Sequence, residues 1–385
     1  MTSLLKILTL LTVLTIIPTY IFAAPSITAV TGALENGQGI TLSGSGFGTK
    51  SSGAPLISSY DNATSANNWS TGSIGANWYH PEGTETLVTN ASPRRSTFYQ
   101  SNTYLRIPNG SNGSYNYIGY YHNVGEDKMY FSWWHYRDNA TYAFTSSNGK
   151  FFRLNNATAS PQSDQGMRIV PTGGGDIGSH DFFNEFGTNS TMTISSYSGC
   201  GAGLSQSSGS WIVSTGCKPT MQNWNHYEVY MNWPSSLGAN DAEIIVWLDG
   251  RMVMRMQNCS INSSGQNSNL RGARIGVVTP AAGGSAYYEY LDQIYIDNTP
   301  QRVFISNVSN LNSTWPNVNI HHDETQVPTS WSDSSIVFTF NQGSFATGEP
   351  LYLYVVDTNG NISNGFPIGN ASDSPRAPTG LRVVP

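Results

Sequence analysis

The segment Tyr130-Phe-Ser-Trp-Trp-His-Tyr136 places five aromatic rings and one imidazole in seven residues, and Trp224-Asn-His-Tyr227 repeats the combination. Two chemistries suit such residues. In the first, the C–H faces of sugar rings stack on Trp and Tyr while Asn and Arg exchange hydrogen bonds with hydroxyls. Trp134, Tyr136, Arg153, Asn184, Trp224 and Tyr227 are the candidates for that role. In the second, a His or Tyr takes the proton beside a uronate carboxylate while a cation or amide neutralises that carboxylate, giving β-elimination. His135, Tyr136, Arg153 and His226 would be the catalytic set. On a strand, Trp133 and His135 face away from Trp134 and Tyr136, so one of the two sets belongs to a core.

Other chemistries find less support. Glycoside hydrolysis needs two carboxylates flanking one bond, and Asp181-Phe-Phe-Asn-Glu185 has the wrong spacing to share a strand face. Gly44-Ser-Gly-Phe-Gly48 has no βαβ pattern around it and reads as a tight turn or bulge, not a phosphate loop. His321-His322-Asp323-Glu324 alternates in direction along an extended chain, which favours a solvated loop over a transition-metal site. Asp61, Asp292 and Asp297 read first as solvated strand-end acids; the alternative is a set of hard oxygen ligands, for which structural calcium is the fitting ion, and no other cofactor is implied. Cys200 and Cys217 flank a polar, turn-rich Gly/Ser stretch that favours a disulfide-tied loop over two buried thiols, leaving Cys259 over.

The elements that must position these residues are strands. β-branched and aromatic runs such as His226–Trp233 and Glu243–Leu248 recur between Gly, Asn and Ser turns, and no long apolar stripe of helical period interrupts them. Asp249-Gly250 between Glu243–Leu248 and Arg251–Met256 is a hairpin signal. Alternation in Tyr287–Asp297 predicts Tyr288, Tyr290, Asp292 and Ile294 on one face. Only 11% of the 385 residues are charged and the net charge is -6, so there is no basic surface for nucleic acid. Residues 1–23 have the charged, apolar and small-residue layout of a secretory signal peptide. The mature protein is then extracellular or attached to a cell surface, with no membrane span after cleavage.

The two ends carry further motifs: Gly39-Ile-Thr-Leu-Ser-Gly-Ser-Gly-Phe-Gly48 near the start and Trp331-Ser-Asp-Ser-Ser-Ile336 near the finish. These resemble the opening and later strands of an IPT/TIG immunoglobulin-like domain. The middle, with Trp224-Asn-His-Tyr-Glu-Val-Tyr230, Val246-Trp-Leu-Asp-Gly-Arg251 and Tyr290-Leu-Asp-Gln-Ile-Tyr-Ile-Asp297, resembles the closing strands of concanavalin A-like jelly-roll domains of secreted polysaccharide-handling proteins. The expected fold is all-β, a concanavalin A-like jelly-roll β-sandwich plus a smaller immunoglobulin-like β-sandwich. Each end alone has too few strands for a sandwich. Residues 25–50 and 301–370 are therefore read as two halves of one domain, with the jelly roll at 55–299 between them and a tail at 371–385. The resemblance implies a polysaccharide or glycoconjugate partner. A lyase acting on a uronate-containing glycan is the enzymatic alternative, although the Arg-x-Glu-x-Arg and Gln-x-His motifs of alginate lyases are missing. A structural subunit of a surface layer or appendage, self-associating through β-edges, is the third reading.

Overall fold

The computed structural model describes residues 24–59, 69–70, 73–74, 78–79, 86–89, 103–109, 116–138, 152–155, 167–172, 179–184, 193–196, 200, 202–207, 210–215, 217, 219–220, 222–236, 239–259, 270–277, 287–311, 322–346 and 348–370. The signal-peptide segment, Asp61 and the tail from 371 lie outside these residues. All regular structure among the described residues is β-strand.

Two antiparallel sheets form the larger, jelly-roll sandwich. One has nine strands and runs in the order Thr193–Ser195, Arg251–Cys259, Ala242–Leu248, Asn225–Asn232, Lys128–Arg137, Tyr287–Asp297, Thr103–Asn109, Thr86–Thr89, with Ile57–Ser59 also paired to Tyr287–Asp297. The other has eight, in the order Ala202–Ser207, Ser210–Thr215, Ser179–Asn184, Met167–Thr172, Phe152–Asn155, Leu270–Val277, Asn116–Glu126, Trp78–Tyr79. Their facing sides meet where Trp133 stacks on Phe152 at 4.9 Å and on Tyr227 at 5.4 Å. The Asp249-Gly250 turn has both residues at positive φ, 51° and 70°, the conformation that a two-residue hairpin of this hand requires. Cys200 and Cys217 are joined by a disulfide, and Cys259 is buried and free.

A smaller sandwich is made from both ends of the chain. Its seven strands run Ser26–Thr31, Gly39–Ser45, Ser335–Thr339, Asp323–Trp331, Arg302–Ser306, Pro350–Val356, Phe366–Asn370. Gly39–Ser43 pairs residue for residue with Thr339–Ser335. The sheet shifts register between Pro328 and Ser330 and folds over, so that Ile40, Leu42 and Phe338 share one core with Val303, Ile305 and Leu353. The two terminal motifs lock together directly: Asp333 accepts from Gly48 N at 3.0 Å, and Trp331 Nε1 donates to Phe47 O at 3.2 Å. A side chain at Gly44 would stand 2.0 Å from Ser26 O and 2.4 Å from the Phe47 ring, which is why glycine occupies that position.

The smaller sandwich sits on the outer face of the nine-stranded sheet. There Tyr130, Tyr295, Ile245 and Trp247 form one cluster with Phe304, Tyr354 and Val356. Burial of an aliphatic or Phe side chain in such a joint contributes roughly 1.5–3 kcal/mol. Contrary to the alternation expected for Tyr287–Asp297, Ile294 does not share the face of Tyr288 and Tyr290. Gln293 takes a positive φ of 47° and the pairing with Lys128–Arg137 slips there. Tyr295 pairs with Ser132 and meets the Tyr130 ring at 6.0 Å instead, while Ile296 pairs with Phe131 on the inner side.

Candidate functional site

Strand Lys128–Arg137 separates the sequence candidates by face. Its inner side carries Phe131, Trp133, His135 and Arg137 into the jelly-roll core; its outer side carries Tyr130, Ser132, Trp134 and Tyr136. His135 is 4% exposed beside Glu289, which also pairs with Arg137 at 2.5 Å. Burial lowers the His135 pKa, outweighing the pull of Glu289, so the imidazole is held neutral inside the sandwich. Tyr227 is likewise interior, 2% exposed and stacked on Trp133. Neither residue reaches a ligand groove, which corrects their assignment as sugar-binding or catalytic candidates.

Trp134 and His226 share the outer side but are covered. Trp134 stacks on His226 at 4.9 Å and meets His322 of the smaller sandwich edge-on at 5.8 Å. His226 donates or accepts at Ser132 Oγ through Nε2 at 2.7 Å and pairs with Asp323 through Nδ1 at 3.2 Å. Burial alone would lower its pKa, but Asp323, with Glu228 and Glu324 behind it, lifts it to about 9. The Tyr130 hydroxyl donates to Glu228 at 2.5 Å, and Arg302 approaches the same carboxylate at 3.1 Å with its guanidinium 4.7 Å above the Tyr130 ring. Potential ligand atoms of His226, Glu228 and Asp323 lie within 4.8 Å of one another. That spacing admits a cation, yet Arg302 already supplies the positive charge, so the cluster reads as a buried ion network joining the two sandwiches.

The stretch read as a solvated loop is part of this joint. Asp323 and Glu324 begin a strand and are 3% and 0% exposed. Glu324 accepts from Ser344 N at 2.8 Å and lies against His322 at 3.1 Å. Gly343 turns past it at a φ of 64°, where a Cβ would overlap the Glu324 carboxyl carbon at 2.0 Å. The strand forms because Asp323–Gln326 can pair with Val303–Ser306, and the acids find partners on arriving there.

Of the three acids offered for calcium, Asp61 lies outside the described residues and the other two have protein partners. Asp297 is buried and paired with Lys50, and accepts from the Tyr295 hydroxyl at 2.9 Å. Asp292 accepts from Gln293 N at 2.8 Å and pairs across the strand with Trp134. Arg153 and Asn184 belong to the eight-stranded sheet: Arg153 falls on the face opposite Phe152, whereas Asn184, two residues beyond Phe182, falls on the Phe152 face. His135, Tyr136, Arg153 and His226 therefore do not share one face, and the proposed elimination set is not brought together.

One group of rings reaches the surface, with Tyr136 and Trp224 half-buried and Tyr290 buried beneath them. Beyond the joint, Tyr136 lies 5.6 Å from Trp224 and 5.6 Å from Tyr290, and Tyr290 is 6.3 Å from Tyr288. Tyr288 is 38% exposed, the one exposed large hydrophobic residue among those described. Tyr136 and Tyr290 meet as a cross-strand pair, and Arg106 follows in the same row on the next strand. Asn225 holds the approach to Trp224 by donating to Thr220 O and Asn223 O at 2.9 Å each. Asp138 accepts from Tyr288 N at 2.8 Å, and Gln222 Nε2 donates to Asp138 O at 2.9 Å. Burial, then the charge of Asp138, raises the Tyr136 pKa above its ordinary value. Sequence reasoning included Tyr136 and Trp224 but missed Tyr288, Tyr290 and Asp138, although Tyr288 and Tyr290 alternate onto one face in the sequence.

No protein-family profile matches the chain, and no curated relative matches it. Among solved structures it is similar to a cellulose induced protein, Cip1, at 16% identity over 63% of this chain and 97% of that one, with a TM-score of 0.37. It is also similar to a marine alginate lyase from Aplysia kurodai, at 17% identity over 57% and 89% with a TM-score of 0.38. Peanut lectin overlaps at 8% identity over 57% and 97% with a TM-score of 0.29. Overlap at this level carries no argument about chemistry, so the site is argued from its own residues.

Proposed function

We propose that this is a secreted polysaccharide-binding protein whose jelly-roll sandwich engages a neutral glycan on the platform of Tyr136, Trp224 and Tyr288, supported from beneath by Tyr290. The observation that supports it is the grouping of Tyr136, Trp224 and Tyr288 around the buried Tyr290 at the open end of a sheet face whose other rings are sealed. Flat ring faces suit the C–H faces of sugars, and Asp138 and Gln222 stand beside them to bond hydroxyls. The smaller sandwich is the mount for that face, taking no part in the chemistry. Affinity electrophoresis against a panel of neutral polysaccharides tests the reading. Tyr136→Ala and Trp224→Ala should each weaken binding roughly tenfold, about 1.4 kcal/mol, without loss of the folded circular dichroism spectrum. A folded protein that binds no member of the panel, or binds one equally well after both substitutions, would overturn it.

A further inference from the structure

The chain crosses between the two sandwiches twice, leaving the smaller one after Gly39–Ser45 and returning to it before Arg302–Ser306. Lys50 stands on the outgoing segment, and Asp297 ends the last jelly-roll strand 247 residues further along. Their side chains nevertheless meet, Lys50 Nζ against Asp297 Oδ2, and are only 2% and 1% exposed. Neighbouring contacts fix both segments. Gln301 Nε2 donates to Phe47 O at 2.9 Å, Trp331 Nε1 donates to Gly48 O at 3.2 Å, and the Trp331 ring lies 5.5 Å from Lys50 Nζ.

The two oxygens of Asp297 are held differently. Oδ1 accepts from Asn298 N at 2.9 Å, whereas Oδ2 accepts from the Tyr295 hydroxyl at 2.9 Å and contacts the lysine nitrogen. One oxygen thus has a fixed donor suited to bearing negative charge, and the other has two proton sources. The partner matters as well. Glu228 and Asp323 meet Arg302 and His226, and a guanidinium stays charged, whereas a lysine amine is a nucleophile once it gives up its proton.

In water an ammonium and a carboxylate do not condense, because both are ionised and well solvated. In a dry site the ions lose that solvation, one proton passes from nitrogen to oxygen, and a neutral amine and acid are left in contact. Burial raises the Asp297 pKa, with Lys50 opposing the rise. Holding the groups together supplies the effective concentration that a bimolecular reaction lacks.

We propose that Lys50 and Asp297 condense into a side-chain amide, an isopeptide bond that closes the inserted jelly-roll segment into a covalent ring. The neutral Nζ attacks Cγ of the protonated carboxyl; the Cγ–Nζ bond forms and the Cγ–Oδ2 bond breaks. Oδ2 leaves as water, carrying its own proton and one from Nζ relayed by the Tyr295 hydroxyl. Oδ1 becomes the amide carbonyl oxygen, stabilised by Asn298 N while it bears charge. Water is the one product besides the amide, and no co-reactant is consumed. Tension along the chain then passes through Lys50 and Asp297 and bypasses the jelly roll. The bond is independent of the glycan-binding reading.

The test is mass spectrometry of the folded full chain after reduction and proteolysis. The peptide carrying Lys50 should be recovered joined to the peptide carrying Asp297, lighter than their sum by one water, with no tryptic cleavage at Lys50. On a reducing denaturing gel the undigested chain should run ahead of Lys50→Arg, as a closed ring does against an open chain of the same length. Separate, unmodified peptides from the folded parent chain would overturn the proposal. So would a missing water confined to the Asp297 peptide, which marks ring closure onto Asn298, or a crosslink that survives Lys50→Arg. The parent's own digest is decisive should the variant fail to fold.

Discussion

The outer face of the nine-stranded sheet is aromatic from Tyr130 to Tyr136, but its two ends have opposite fates. At one end Tyr130, Tyr295 and Trp247 are sealed under Phe304 and Tyr354 of the smaller sandwich, with Glu228, His226, Asp323 and Arg302 buried among them. At the other, Tyr136, Trp224 and Tyr288 face outward, with half-buried Asp138 beside them. Ring density is the same signal in both places. What separates a joint from a binding surface is whether another element of the chain returns to cover it. A joint tolerates buried charge only when each charge is paired, whereas an open surface leaves polar groups free to exchange partners with water or ligand.

Substitutions sharpen this contrast. The largest effect belongs to the joint: Arg302→Ala leaves the buried Glu228 carboxylate without its cation and removes the guanidinium from the Tyr130 ring. A loss of about 3–5 kcal/mol is expected in urea unfolding. A loss below about 1 kcal/mol would mean that the network does not hold the sandwiches together.

The next is set by pH. The folded pKa of His226, about 9, exceeds the ordinary histidine value of 6.5. The proton it holds thus stabilises the fold fully below about pH 6.5, and that contribution disappears as pH rises through 9. Unfolding free energy should fall by at most about 3 kcal/mol between pH 7 and 10, and His226→Gln should flatten that slope. His135, whose pKa is lowered by burial, contributes no such alkaline loss; a slope that survives His226→Gln would break the comparison.

The smallest effect is at the open end. Tyr288→Ala should change stability by less than about 0.5 kcal/mol while still weakening neutral-glycan binding. A large drop in melting temperature would show that the platform is a packing surface like the joint.

Much of the architecture was legible from local pattern. Asp249-Gly250 specified its hairpin because both positions accept positive φ, and the alternation in Lys128–Arg137 correctly divided Trp133 and His135 from Trp134 and Tyr136. The site was legible only in part. Trp134 and His226 have the composition of a binding face, and nothing local tells that His322 and Asp323 come back to cover them, Asp323 from 97 residues further along than His226. Gln293 shows no sequence mark of the slip that turns Tyr295 outward. The Lys50–Asp297 pair escaped notice for a related reason, since the two residues lie 247 positions apart and meet only where the chain crosses between the sandwiches.

The sequence by itself determined that the chain folds as strands, which residues of each strand share a face, and where tight turns fall, because these follow from a two-residue pleat and the φ preferences of single residues. The tertiary structure decided which of two aromatic faces is core, which end of the outer face is sealed, and which carboxylate meets Lys50. Those outcomes depend on pairing between segments far apart in the chain, and local periodicity carries no information about the partner.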